Sequence, residues 1–316
     1  MDRLDFLLGA AALAAAPRAR LGGGTPLALA TADLEAHVVA VDLDTNRIVR
    51  RLPSPAWPRS IEAVGDGVAL VAHTELGRLS LLGVRDWTLE EVTGPLAEPR
   101  YAAAHPREPL AYVTDSGRRE VAVVDLRGRR VLGRVGVGGA CRHLGIDRDG
   151  TRLWVALGTK AERIAVLSLA EPRRPRVVGT LRPPFLAHDV GFTPGGRRVW
   201  VTSGDRGRIA IYDAASGSVV RTIAADAPPQ HVTFHGDRVF ATSGDDGLLR
   251  VHALDGRLLR TARIPVGSFN VQRGANQVLS PSLSRGTLCV VTPRGTPVEE
   301  LRLARSSHDA CFAMRR

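Results

Sequence analysis

The chain has 316 residues, of which 44% are hydrophobic and 24% charged, with 33 glycines and 20 prolines. That hydrophobic share supports a large core and excludes a disordered chain, and a count of three cysteines excludes a full disulfide framework. The formal net charge is +11, yet Lys160 is the one lysine and no arginine run exceeds two. This spread reads as a solvated basic surface, and with no aromatic platforms between the arginines no specific nucleic-acid binding is expected.

Residues 1–24 stand apart from the rest of the chain. Phe6 to Ala16 form an eleven-residue apolar run with Arg3 before it. Such a run is too short to span a bilayer and suits the core of a signal peptide. The mature chain is therefore expected to carry no transmembrane segment and to lie outside the cytoplasm, in the periplasm, on the cell surface or secreted. Arg3-Leu4-Asp5-Phe6-Leu7 resembles a twin-arginine export signal with Leu4 in place of the second arginine, which leaves the twin-arginine and general routes both open. Gly22-Gly23-Gly24 reads as a flexible lead into residues 25–316.

From there one phrase recurs seven times. An apolar strand ending in Thr or Ala meets a Gly-containing turn. A strand of the Val-Ala-Val-Asp type comes next, then a more basic strand, then Pro-x-x-Val. The clearest copy runs Arg198-Val-Trp-Val-Thr202, Arg208-Ile-Ala-Ile-Tyr-Asp213, Val219-Val-Arg-Thr-Ile223 and Pro229-Gln-His-Val232. The first strand ends at Thr31, Ala72, Thr114, Ala156, Thr202, Thr242 and Ser280, at spacings of 41, 42, 42, 46, 40 and 38. The Val-Asp anchor (Asp42, Gly83, Asp125, Ser168, Asp213, Ala253, Thr292) and the Pro-x-x-Val anchor (Ile61, Ala102, Leu144, Val190, Val232, Val271, Ala310) keep the same drift. The long spacing places a small insertion near residues 171–175. A period of roughly 40 residues with four strands per copy predicts an all-β, seven-bladed β-propeller as one domain. The first strand, Leu27 to Thr31, corresponds to the second of a blade, and the last, Asp309 to Met314, to an innermost one. The C-terminal strand should therefore close the ring on the N-terminal strands. In the seventh copy Pro281 should weaken or end its strand.

Ala111-Tyr-Val-Thr-Asp115, Val121-Ala-Val-Val-Asp125, Val135-Gly-Val-Gly138 and Phe192-Thr-Pro-Gly-Gly196 resemble the YVTN-repeat (YncE-like) family of β-propellers over residues 26–314. The resemblance implies the fold. It leaves function open, because such propellers serve as binding modules, surface-layer proteins and enzyme scaffolds.

Propellers bind ligands at the mouth of the central channel, where the loops entering the innermost strands converge. The two residues before each innermost strand form two rows. The first is Arg59, Arg100, Arg142, His188, Gln230, Phe269 and His308; the second is Ser60, Tyr101, His143, Asp189, His231, Asn270 and Asp309. Adjacent strand residues point to opposite sides, so one row faces the channel, and sequence leaves open which. Three readings compete. Arg59, Arg100 and Arg142 suit a carboxylate or phosphate. His188 with His308, or His143 with His231, supported by Asp189 and Asp309, suit copper or zinc; nitrous oxide reductase propellers are similar in gathering histidines there, though they use more of them. Alternatively the histidines hydrogen-bond between blades. Seven-bladed lactonases resemble this chain in using Arg, His and carboxylates at the mouth, but no nucleophile or general base is identified. The sequence thus points to a monomeric binding or interaction module for a small-molecule or protein ligand, anionic or peptidic. A hydrolase, a metal-dependent enzyme and a pure scaffold stand as alternatives. Cys141, in a Pro slot, is expected to be the most exposed thiol, and the four tryptophans are expected to pack in cores or blade edges.

Overall fold

A computed structural model of the chain describes residues 23–316; the expected signal run lies outside the described residues. The described residues form seven four-stranded antiparallel sheets, the blades. Their innermost strands are Ala310–Arg315 (blade one), Pro58–Gly65, Pro99–Ala104, Leu144–Ile146, Ala187–Phe192, Val232–His235 and Gln272–Arg273 (blade seven). The two middle strands of a blade are buried on both faces, as in Leu110–Asp115 and Glu120–Asp125, because every blade packs against a neighbour on each side. Their Val, Ala and Leu content follows from that double burial. The basic strand of each repeat is the outer rim: in Arg47–Pro53 only Leu52 is buried. Much of the arginine excess is thus solvated at the edge, where positive charge also blunts unwanted strand pairing.

Seven apolar clusters occupy the seven blade interfaces, one each. Trp154 and Trp200 are fully buried in two of them. Trp87 packs on another, with the Arg315 guanidinium 4.9 Å from its ring. Trp57 differs: it is 44% exposed and sits in the loop before an inner strand.

The repeat letters do specific work. The carboxylates of Asp42, Asp125 and Asp213 accept backbone N–H groups two and three residues on, closing the turn to the outer strand. The hydroxyls of Thr114 and Thr202 donate to the carbonyls of Arg142 and Gln230, each 2.6 Å away in the next blade. Thr242 does the same to Phe269. These bonds tie the second strand of one blade to the segment entering the inner strand of the next.

The ring closes as the sequence predicts, in the order Ala310–Arg315, Thr25–Ala32, His37–Asp42, Arg47–Pro53, with Leu27 opposite Ala313 and Leu29 opposite Cys311. The insertion near 171–175 is anchored by the Tyr112 hydroxyl, which donates to the Pro172 carbonyl at 2.9 Å.

Two expectations are corrected. Cys141 is fully buried. Its slot lies against the hairpin of the preceding blade, its thiol donates to the carbonyls of Glu120 (3.0 Å) and Asp115 (3.4 Å), and burial pushes the thiol up to about 12, so it is an inert core group. Pro281 stands inside a strand, Val278–Ser282, opposite Leu288. The inner strand beside it is only Gln272–Arg273, pairing with Leu279 and Val278. No inner-side ladder bond is therefore asked of position 281.

Candidate functional site

Four of the seven second-row mouth residues line the channel. A cavity of about 750 Å³ runs along the propeller axis, and its lining includes Tyr101, His143, Asp189 and His231 from that row. Below them lies a further ring: Glu62, Ala103, Gly145, Gly191, Thr233, Gln272 and Cys311, the residues directly after the Pro-x-x-Val anchors. The cavity continues past Phe192, Phe234, Phe312 and Arg273 towards the opposite end. Its size suits a small ligand.

His143, His188 and His231 converge at the mouth, with one ring nitrogen of each within 4.8 Å of the others. Ring centroids lie 4.5 Å apart for His143 and His188, 4.5 Å for His143 and His231, and 5.3 Å for His188 and His231. His188 belongs to the first row. It joins the cluster at a β-bulge, where the pairing shifts register between Ala187 and Val190; such a bulge re-aims a side chain. Two rings are held from behind. The Thr159 carbonyl, on the hairpin loop of blade four, lies 2.8 Å from His188 Nδ1. Asp189 Oδ2 lies 3.4 Å from His231 Nδ1. Both nitrogens of buried His143 lack a partner.

Charge in this cluster is suppressed. Burial, then the neighbouring His188 and His231, hold His143 well below the usual imidazole range. Burial, then His231, brings His188 down to about 3. Both rings are neutral at pH 7 and offer lone pairs. Tyr101 stacks beside them, 4.3 Å from His143 and 5.7 Å from His231 between centroids, and burial raises its hydroxyl.

The remaining sequence candidates divide. His308 stays outside the trio; its Nδ1 lies 2.7 Å from the Arg59 carbonyl, and its own carbonyl accepts Asn270 Nδ2 at 2.8 Å. Asp309 accepts the N–H groups of Ile61 and Ala310, and Asp189 those of Val232 and Val190. The two aspartates thus bridge one blade to the next in the same way. Arg59 pairs with Asp33 at 3.2 Å and Arg100 with Glu98 at 3.3 Å. Arg142 has no carboxylate within ion-pair reach among the described residues; its guanidinium carbon stands 5.9 Å from the Tyr101 ring.

Sequence reasoning paired His143 with His231 but matched His188 to His308, because the bulge cannot be read from row position. It missed Asp33 and Thr159, which act through an ion pair and a carbonyl. It also missed Glu62, the one ionisable carboxylate in the lower channel ring, whose pKa burial and the nearby Asp309 push up to about 8. Its position directly after the Ile61 anchor was a usable signal.

Blades, closure and channel together define a seven-bladed β-propeller. A family model described as outer membrane protein assembly factor BamB matches residues 143–298. No curated protein matches in sequence. Among solved structures, the chain is similar to a functionally unknown protein from Desulfotomaculum acetoxidans DSM 771, with TM-score 0.79 and 11% identity over 92% of this chain and 99% of that one. It is similar to a putative 6-phosphogluconolactonase from Bacteroides fragilis, with TM-score 0.74 and 11% identity over 92% and 98%. It is also similar to apo AztD from Citrobacter koseri, with TM-score 0.71 and 12% identity over 92% and 99%. At these identities the likeness is one of fold.

Proposed function

We propose that this propeller is a binding module that holds a transition-metal ion, zinc or copper, at its channel mouth through His143, His188 and His231. The observation that carries the reading is the convergence of three imidazole nitrogens within 4.8 Å of one another, around a buried His143 with no other partner. Three neutral imidazoles suit both ions. Tetrahedral coordination at about 2.0–2.1 Å would draw the nitrogens to about 3.3 Å apart. The Thr159 carbonyl on His188 and the Asp189 carboxylate on His231 are the partners that metal-bound histidines usually have on their second nitrogen. Bound there, the ion would supply a Lewis-acidic centre with one open position. The residues of the chain bind it, fix the ring orientations and shield the centre beneath Tyr101. Asp189 also ties blade five to blade six through the Val232 N–H, so ligand geometry and ring geometry are set by the same side chain.

Elemental analysis of the protein purified without a histidine tag, after exposure to zinc and to copper, tests the proposal. Near-stoichiometric metal is expected, with at least a tenfold affinity loss in His188→Ala and an unchanged circular dichroism spectrum. Failure to retain either metal, or retention that His188→Ala leaves untouched, would remove the reading.

A further inference from the structure

Arg142 precedes the proposed ligand His143, and its guanidinium faces Tyr101 and no carboxylate among the described residues. Arg59 and Arg100, its counterparts from neighbouring blades, each have a carboxylate partner; Arg142 has none among the described residues, and its Nε is buried without a hydrogen-bond partner. Burial disfavours its charge most, Tyr101 beside it offsets part of that, and Arg100 and Arg59 add repulsion. Asp189 and Asp309, the two aspartates of the same row, are each occupied by two backbone N–H groups. A dication on the three histidines would add more positive charge within reach of the same guanidinium, which already bears electrostatically on His143 and His188. Leaving a buried charge unpaired is costly, and a three-histidine ion has an unfilled coordination position.

We infer that the mouth is a two-point anion site in which a small carboxylate binds the ion through one oxygen and the Arg142 guanidinium through the other. The carboxylate displaces the ion's water, and the planar fork of Arg142 donates to the second oxygen in the geometry that guanidinium–carboxylate pairs favour. Arg59 and Arg100 are partly exposed at the rim, with side chains 34% and 22% accessible, but each is already paired with a carboxylate, which leaves Arg142 as the guanidinium open to the ligand. The natural ligand of the module is then a metal–carboxylate pair rather than a bare ion. This inference rests on the metal reading above.

The test uses cobalt(II), whose visible spectrum reports its coordination shell, with acetate as the probe. Acetate titrated into the cobalt-loaded protein at pH 7.5 is expected to change the d–d bands saturably. Arg142→Gln is expected to bind cobalt as tightly as the unaltered protein while weakening acetate at least tenfold. Arg142→Lys keeps the charge and loses the fork; it should weaken acetate several-fold and serves if Arg142→Gln folds poorly. Cobalt bound with no acetate response, or a response equal in the unaltered protein and both variants, overturns the inference and leaves the metal reading standing. Failure to bind cobalt at all overturns both.

Discussion

His143 and His188 are neutral in the folded protein because burial makes their charged forms expensive. An unfolded histidine titrates near 6.5. Their folded values lie below that, so the unfolded chain takes up more protons as pH falls. The stability they carry is intact above about pH 6.5 and is lost as pH drops towards the folded values. The melting temperature of the metal-free protein should therefore fall from pH 7 to pH 5, with a shallower slope in His143→Gln; equal slopes would mean that this ring is not held neutral. Glu62 has the opposite sign. Its folded value of about 8 lies above the ordinary carboxylate range, so its contribution is present at low pH and is lost as pH rises through 8. Glu62→Gln should raise the melting temperature at pH 9 and change it little at pH 5, with channel water moderating the size. A differential scanning pH series reads both effects.

Two elements fix where the imidazoles stand: the inner strands and the threonine bonds between them. Gly145 lies on the inner strand of blade four, and a Cβ there would sit 2.6 Å from the Val190 carbonyl oxygen of blade five. That approach needs a residue without a side chain. Gly145→Val should push back the strand that carries His188 and weaken metal binding at least tenfold; isothermal titration with zinc measures it. Thr202→Val removes the hydroxyl that accepts the Asp189 N–H and donates to the Gln230 carbonyl. Two buried groups lose their partners, at about 1–3 kcal/mol each by the usual range, and urea denaturation should show it. These same letters made the fold legible in sequence. Thr114, Thr202 and Thr242 recur because each bonds to the next blade, and Asp42, Asp125 and Asp213 recur because each closes a turn. Residues with a repeated duty leave a repeated mark. The site was legible only as rows. All three histidines stood in those rows, but which of them meet depends on a bulge at Ala187–Val190 and on a loop carbonyl at Thr159, and neither leaves a side-chain signature. Cys141 misled because its slot is filled elsewhere by Pro, Ala and Ser, residue types that do not announce burial, whereas the slot is buried in every blade and the thiol points into the adjoining hairpin.

Across the whole molecule, stability is shared among seven interfaces, and one of the seven sheets is built from both chain ends. Removing residues 308–316 takes away the strand Ala310–Arg315 and the Asp309 bridge to Ile61. It should lower the cooperativity and the midpoint of unfolding for the entire ring; a truncated protein that melts as the full chain does, with only local fraying by hydrogen exchange, would contradict this. The closure also sets an order of events. Thr31 and Asp309 meet across 278 residues, so blades two to seven can each zip up as they are made while blade one waits for the strand Ala310–Arg315. Until then the strand Thr25–Ala32 presents a bare ladder of N–H and C=O groups, and the growing molecule is an open arc with one adhesive edge. A stalled or clipped chain keeps that edge and can satisfy it only by borrowing Ala310–Arg315 from a second copy. For this protein the strand Ala310–Arg315 is therefore what separates a closed ring from a strand-exchanged chain of arcs.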